Sequence, residues 1–279
     1  MNLSPLSRIV LCLALTFLAL TRGSGATYTF NGLSAGNVAG QDGWIANFGD
    51  SSDVIQAGTG FDTSNVMANP VTAGPTGVHR MSRTNDGNFS FGNLVGATGL
   101  TLSFDTQVYN NASDALDFIN FALADTADAH GTPALAFLQQ NGGTPQVAFG
   151  STAQSGTFNL PATTTNDWIR LSLVMDFTAN GGQGTGVLTY QDLTIGGPVM
   201  TITSGLNLGN PTPNEPFWTT MWSRSDNGPG AALSHVVQDN LTVTPTFAAV
   251  PEMNGAWIAG GCALLLTGHW VRRARRSQA

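Results

Sequence analysis

The residues with reactive side chains are few, and their placement limits the chemistry open to them. Acid–base cleavage of a glycoside needs two carboxyl groups a fixed distance apart, one as acid and one as nucleophile or base. The two glutamates, Glu215 in the loop NPTPNEPF and Glu252 near the C-terminus, cannot share a strand. Among the aspartates, Asp114 with Asp117 and Asp125 with Asp128 are the nearest spaced pairs, and both read more simply as polar groups at turns and strand ends. His79, His130 and His235 are scattered without an H-x-x-x-H or H-E-x-x-H spacing, so a zinc site would need distant loops to converge. A phosphate-binding P-loop requires a lysine, and the chain has none.

Two kinds of binding chemistry remain. Calcium takes oxygen ligands from Asp, Asn and backbone carbonyls, all abundant here; it is the one candidate cofactor, placed near Asp125, Asp128 or Asp239. A sugar-binding face would show aromatic rings laid flat against a pyranose, with Asp and Asn holding its hydroxyls. Trp44, which follows GQDG in an expected loop, and Tyr109 are the candidates. Trp168, Trp218 and Trp222 lie in apolar strand patterns and are expected in the core.

The elements that must position these residues are strands. LTLSFDTQVY alternates Leu100, Leu102, Phe104, Thr106 and Val108 with Thr101, Ser103, Asp105 and Gln107, the pattern of a half-buried strand. Similar runs are DFINFALAD (117–125), ALAFLQQ (134–140), TPQVAFG (144–150), WIRLSLVMDF (168–177), GVLTYQDLTI (186–195), FWTTMWSRS (217–225) and SHVVQDNLTVTP (234–245). Turn residues such as Asn141-Gly142-Gly143, Asn180-Gly181-Gly182 and Gly196-Gly197-Pro198 separate them. Many antiparallel strands without helices must bury their apolar faces against one another, so the fold class is all-β, as a two-sheet sandwich or a barrel. Between residues 27 and 250 there are four arginines against sixteen carboxylates. That surface repels phosphate, so no nucleic acid partner is expected.

The stretches FNGLSAGNVAGQDGW (30–44), NDWIRLSLVMDFTANGGQGTGVLTYQDLTIG (166–196) and QDNLTVTP (238–245) resemble concanavalin A-like or laminin G-like jelly rolls of secreted bacterial proteins. The resemblance implies the sandwich rather than the barrel, and a fold more than an activity. Glycoside hydrolases of that class carry their carboxylates as E-x-D-x-E on one strand, which this chain lacks. The expectation is therefore a non-enzyme that binds or organises polysaccharide. An enzyme working through aspartates and a purely structural surface protein are the alternatives.

Both ends read as addresses. MNLSPLSR, the apolar IVLCLALTFLAL and TRGSGA fit a secretory signal peptide over residues 1–26, which implies the Sec translocon as a partner. At the other end, residues 254–271 are apolar apart from Thr267 and His269 and run into Arg272, Arg273, Arg275 and Arg276, as in a membrane span with a cytoplasmic basic flank. Cys12 and Cys262 lie in these terminal runs, so the body has no disulfide. Val250-Pro251-Glu252, the span and the arginine cluster together resemble the PEP-CTERM sorting signal, departing from it at Met253 where proline is usual. The resemblance implies an exosortase as a processing partner, a transient inner-membrane anchor, and a cell-surface or extracellular destination. The expected organisation is a signal peptide (1–26), a β-sandwich (27–248) and a sorting tail (249–279). If the tail is processed, the intact mass of protein recovered from cells ends near Pro251. Alanines at the four arginines then leave full-length protein in the membrane, whereas a wild-type mass reaching Ala279 means a plain anchor.

Overall fold

A computed structural model describes residues 25–48, 54–69, 77–84, 94–108, 117–124, 133–139, 144–160, 166–210, 217–224 and 236–248. The expected signal peptide (1–26) lies outside the described residues up to residue 24, and the expected sorting tail (249–279) lies outside them throughout. Among the described residues, no helix is long and apolar enough to cross a membrane. The chain divides into two compact units between Phe247 and Ala248.

The first unit is built of strands: β1 (Ala26–Tyr28), β2 (Gly36–Asn37), β3 (Trp44–Phe48), β4 (Val54–Gln56), β5 (Val66–Asn69), β6 (Gly77–Thr84), β7 (Ala97–Gln107) and β8 (Asp117–Ala124). They continue with β9 (Ala134–Gln139), β10 (Gln146–Gly150), β11 (Ser155–Asn159), β12 (Trp168–Asp176), β13 (Thr185–Asp192), β14 (Met200–Asn207), β15 (Phe217–Arg224) and β16 (Val236–Phe247). A larger sheet runs β14-β13-β12-β7-β16-β5-β4-β2, with β1 also paired to β16, and a smaller one runs β11-β10-β9-β8-β15-β6-β3. All the pairings are antiparallel. The body is thus all-β, as the alternation implies, and is the two-sheet antiparallel sandwich rather than the barrel, as the resemblance implies.

The alternating residues explain the core. Leu102 and Phe104 of β7 pair with Leu173 and Leu171 of β12, which pair in turn with Leu188 and Tyr190 of β13. With Leu241 and Val243 of β16, they pack in one cluster with Ile119, Phe121, Leu135, Phe137, Val147 and Phe149 of the smaller sheet. Since side chains alternate across a strand, the partners Ser103, Asp105, Arg170 and Ser172 occupy the opposite, outer face of the larger sheet.

Two expectations are corrected here. β7 is not half-buried: Ser103 and Asp105 on its outer face are buried as well as Leu102 and Phe104 on its inner one. Trp168 is buried, but on the face opposite Ile169, Leu171 and Leu173. There it joins Val66, Ala68 and Val237 in a second small apolar cluster. The long strand β16 creates this outer layer. One of its sides pairs with β7, while the other pairs with β5 over Val236–Gln238 and with β1 over Leu241–Val243. The change of partner coincides with a register shift between Asp239 and Thr242 and a left-handed Asn240, φ 49°, the signature of a bulge.

Trp44 needs the third correction. Asp42 and Gly43 have φ of 42° and 79°, and the Trp44 N–H donates to the Gln41 carbonyl. GQDGW is therefore a tight turn of the primed kind that launches β3 rather than an open loop. The indole is 1% exposed. Tyr28 meets it edge-on at 5.6 Å and Phe30 tilts against it at 6.0 Å. Arg83, opposite Trp44 in the register, is buried beneath the Tyr28 ring at 5.2 Å and pairs with Asp42 at 3.2 Å. Trp44 has no face to offer a sugar. Trp44→Ala should cost about 3–5 kcal/mol of folding stability in urea denaturation; a loss below about 1 kcal/mol would contradict the core assignment.

Candidate functional site

On the outer face of the larger sheet, β16, β7 and β12 bring charged side chains together in register. Asp239 stands opposite Asp105, and Asp105 opposite Arg170. The Arg170 guanidinium donates through Nε to Asp105 Oδ1 at 2.7 Å and through an Nη to Oδ2 at 2.8 Å, a bidentate pair. The bulge turns Asn240 to the same face, where its Nδ2 donates to Asp105 Oδ2 at 2.8 Å. Asp239 Oδ1 accepts the Asn240 backbone N–H, and its Oδ2 accepts the Ser64 hydroxyl at 2.5 Å.

Ser64 is brought there by the loop between β4 and β5. Gly60 N–H donates to the Ser64 carbonyl, Thr63 N–H to the Gly60 carbonyl, and Asp62 Oδ1 accepts the Ser64 N–H. A Cβ on Gly60 would lie 2.0 Å from Ser64 Oγ and 2.9 Å from Asp239 Oδ2. Only glycine permits this approach.

The electrostatics differ across the cluster. Asp105 and Asp239 are both 1% exposed, whereas the Arg170 side chain is 41% exposed. Burial pushes the Asp239 carboxyl up to about 6, against the opposing pull of Ser64 and the Asn240 N–H; the neighbouring charges of Asp105 and Asp62 add to the rise. Asp62 is exposed and held below the ordinary carboxylate range, first by the Ser64 side chain. Asp105 holds the Arg170 guanidinium above its ordinary value, against the effect of burial.

Of the residues expected to form a site, Asp239 is the one brought into this cluster. Its two oxygens accept hydrogen bonds from the Asn240 backbone N–H and the Ser64 hydroxyl. Among the described residues, no group of three His, Cys, Asp or Glu is arranged to hold a metal ion. Asp125, Asp128, Tyr109, Val250, Pro251, Glu252 and Arg272, Arg273, Arg275 and Arg276 lie outside the described residues, as do the side chains of Trp218 and Trp222. Gly32-Leu33-Ser34-Ala35-Gly36 has the form G-x-S-x-G. A nucleophile elbow needs a strand-to-helix turn. Ser34 instead follows a 3₁₀ turn (Phe30–Gly32) and precedes β2, with its N–H on Gln41 Oε1.

Asp105, Arg170 and Asn240 were not singled out from sequence. The available signal was a charged residue at mid-strand in both LTLSFDTQ and WIRLSL, each needing a partner if buried.

No protein-family model matches the chain, and no curated protein matches it in sequence. Solved structures similar to it include lectin II from Ulex europaeus (11% identity, TM-score 0.45, covering 79% of this chain and 98% of that one). Basic winged bean lectin with Tn-antigen is similar at 11% identity and TM-score 0.45, over 80% of this chain and 99% of that one. The CBM2 module of the evolved Dit of Lactobacillus casei BL23 phage J-1 is similar at 13% identity and TM-score 0.44, over 82% of this chain and 100% of that one.

The buried Asp239 generates a pH dependence. With its folded-state value raised to about 6, the folded protein holds this proton more tightly than the unfolded chain. Its contribution therefore favours folding most below about pH 4, is lost as pH rises towards 6, and is constant above that. Asp239→Asn keeps an acceptor and removes the titration. Urea midpoints at pH 4, 5, 6 and 7 should show the variant gaining on wild type by about 2 kcal/mol between pH 4 and 6; a difference independent of pH would refute the assignment.

Proposed function

We propose that this is an exported, surface- or matrix-displayed β-sandwich that binds or organises polysaccharide without turning it over. On this reading the signal peptide delivers the chain to the Sec translocon. The PEP-CTERM-like tail then hands it to an exosortase-type enzyme at the inner membrane. The observation that carries the non-catalytic part is the state of Asp105 and Asp239. Both carboxylates are committed to Arg170, Asn240 and Ser64, which leaves neither placed as the free acid or base that glycoside cleavage requires.

Polysaccharide as the partner follows from the destination that the tail implies and from a body whose polar surface is supplied chiefly by Ser, Thr, Asn and Gln rather than by charge. Groups that both donate and accept suit a partner covered in hydroxyls. The test is incubation of the purified protein with insoluble and soluble polysaccharides, following retention and release of reducing ends together. Retention without new reducing ends is expected. New reducing ends that vanish with an Asp239→Asn variant that stays folded would indicate an enzyme, and absence of retention on every polymer would indicate a purely structural role.

A further inference from the structure

We propose that residues 59–64, in the connection between β4 and β5, form a strap that lifts off Asp239 as a local unit, hydrating the Asp239, Asp105 and Arg170 cluster while the sheet beneath stays folded. The strap has a fixed root. Gly58, with φ 69°, donates its N–H to Asn65 Oδ1, and Asn65 is tied in turn to Asn31 Oδ1 and the Leu33 carbonyl. Its tip is held narrowly. Of residues 59–64 Ser64 alone is buried; its hydroxyl reaches Asp239 Oδ2, with Gly60 packed beside them. Thr59, Phe61, Asp62 and Thr63 are exposed, Phe61 at 48%. Lifting the tip therefore uncovers little apolar surface, the condition under which a segment opens at low free-energy cost.

Two features of the closed strap favour release. The first is backbone strain. Thr63 has φ 64° and is held there by its N–H on the Gly60 carbonyl, a left-handed conformation that a branched side chain adopts only at a steric cost. The second is charge. Asp239 is 1% exposed, and among the described residues no guanidinium lies on it, since Arg170 is committed to Asp105 and Arg83 to Asp42. The groups that face it are Asp105 from β7, Arg170 from β12, Asn240 from β16 itself, and Asp62 and Ser64 from the strap. β4 and β5 contribute no titratable side chain, and the Tyr28 hydroxyl of β1 is bound to Asp42.

A buried carboxylate without a cation of its own is more stable as the acid, and ionisation draws it towards water. As an acid, Asp239 keeps the Ser64 contact without a buried charge. As a carboxylate beside Asp105 and Asp62, it gains hydration once the strap lifts. Closure is therefore linked to proton uptake. The closed strap holds the Asp239 carboxyl up at about 6, whereas the lifted strap leaves it in the ordinary carboxylate range. Closure is favoured most below about pH 4, weakens as pH rises towards 6, and is constant above that. Three amides report the closed state: Gly60 on the Ser64 carbonyl, Thr63 on the Gly60 carbonyl, and Ser64 on Asp62 Oδ1. Relaxation of Thr63 on lifting opens them to solvent.

The test is native-state hydrogen exchange on the full chain, with protection corrected for the pH dependence of the chemical rate. In low urea the Gly60, Thr63 and Ser64 amides should exchange with almost no urea dependence, whereas those of β12 should follow the slope of global unfolding. Strap protection should fall by about twentyfold from pH 4.5 to pH 7, the ratio that the raised Asp239 value sets. Asp239→Asn should remove that fall. If this variant does not fold, Ser64→Ala, which cuts the tether, should lower strap protection at pH 4.5 by about tenfold with the urea slope still flat. Strap amides that share the urea slope of β12 would overturn local lifting. Protection that stays level between the two pH values would overturn Asp239 as the group that releases the strap, and Ser64→Ala with wild-type protection would overturn the tether.

Discussion

The buried carboxylate of Asp105 is the constraint on which the outer half of the larger sheet depends. A charge out of water is tolerated only when it is paired and its lone pairs are satisfied, and here three strands cooperate to do so. β7 supplies the carboxylate, β12 the bidentate guanidinium of Arg170, and β16 the side-chain amide of Asn240. Because side-chain direction alternates, a one-residue slip of either neighbour would turn Arg170 or Asn240 into the core and leave Asp105 unpaired. The network therefore penalises wrong registers more than its own net stabilisation would suggest. Its geometry also requires the bulge at Asp239-Asn240, since a regular strand would send Asn240 inward. The bulge lies where β16 exchanges β5 for β1 as its neighbour.

From this follows a banded outer face. Nearest β5 is the apolar group of Val66, Ala68, Val237 and Trp168. Next comes the ion-pair band of Asp239, Asp105 and Arg170, covered in part by the Ser64 loop, and beyond it Thr242, Ser103, Ser172 and Thr189, aligned across four strands. Each band is one step of two residues along the strands, so all three are consequences of a single register. Burying the first two shields the carboxylates from solvent, which raises the Asp239 pKa. The same geometry commits both carboxylates to neighbouring side chains, Asp105 to Arg170 and Asn240 and Asp239 to Ser64.

Much of this was legible in the sequence, for local reasons. The eight alternating runs correspond to β7, β8, β9, β10, β12, β13, β15 and β16 because each sets at least one apolar face against a core. The strands that escaped lack that pattern. β14 (MTITSGLN) is an edge strand with few buried residues, and β6 (GVHRMSRT) buries Arg83 under Tyr28. Trp44 was misread because the Asp-Gly pair before it, a strong hairpin signal, was taken as open loop. Trp168 was assigned to the core correctly but to the wrong face: one residue of parity separates it from Ile169, and both faces of β12 are buried at that end.

What the sequence by itself determined is the all-β class and the absence of a closely spaced glutamate pair, since each depends on local composition or periodicity. The tertiary structure alone decided which residues meet. Asp105 and Arg170 are 65 residues apart and Asp105 and Asn240 are 135 apart, and the alignment of Thr242, Ser103, Ser172 and Thr189 arises only when four strands are laid side by side. Periodicity says which residues share a face of one strand; hydrogen-bonded register across strands decides which of them form a surface.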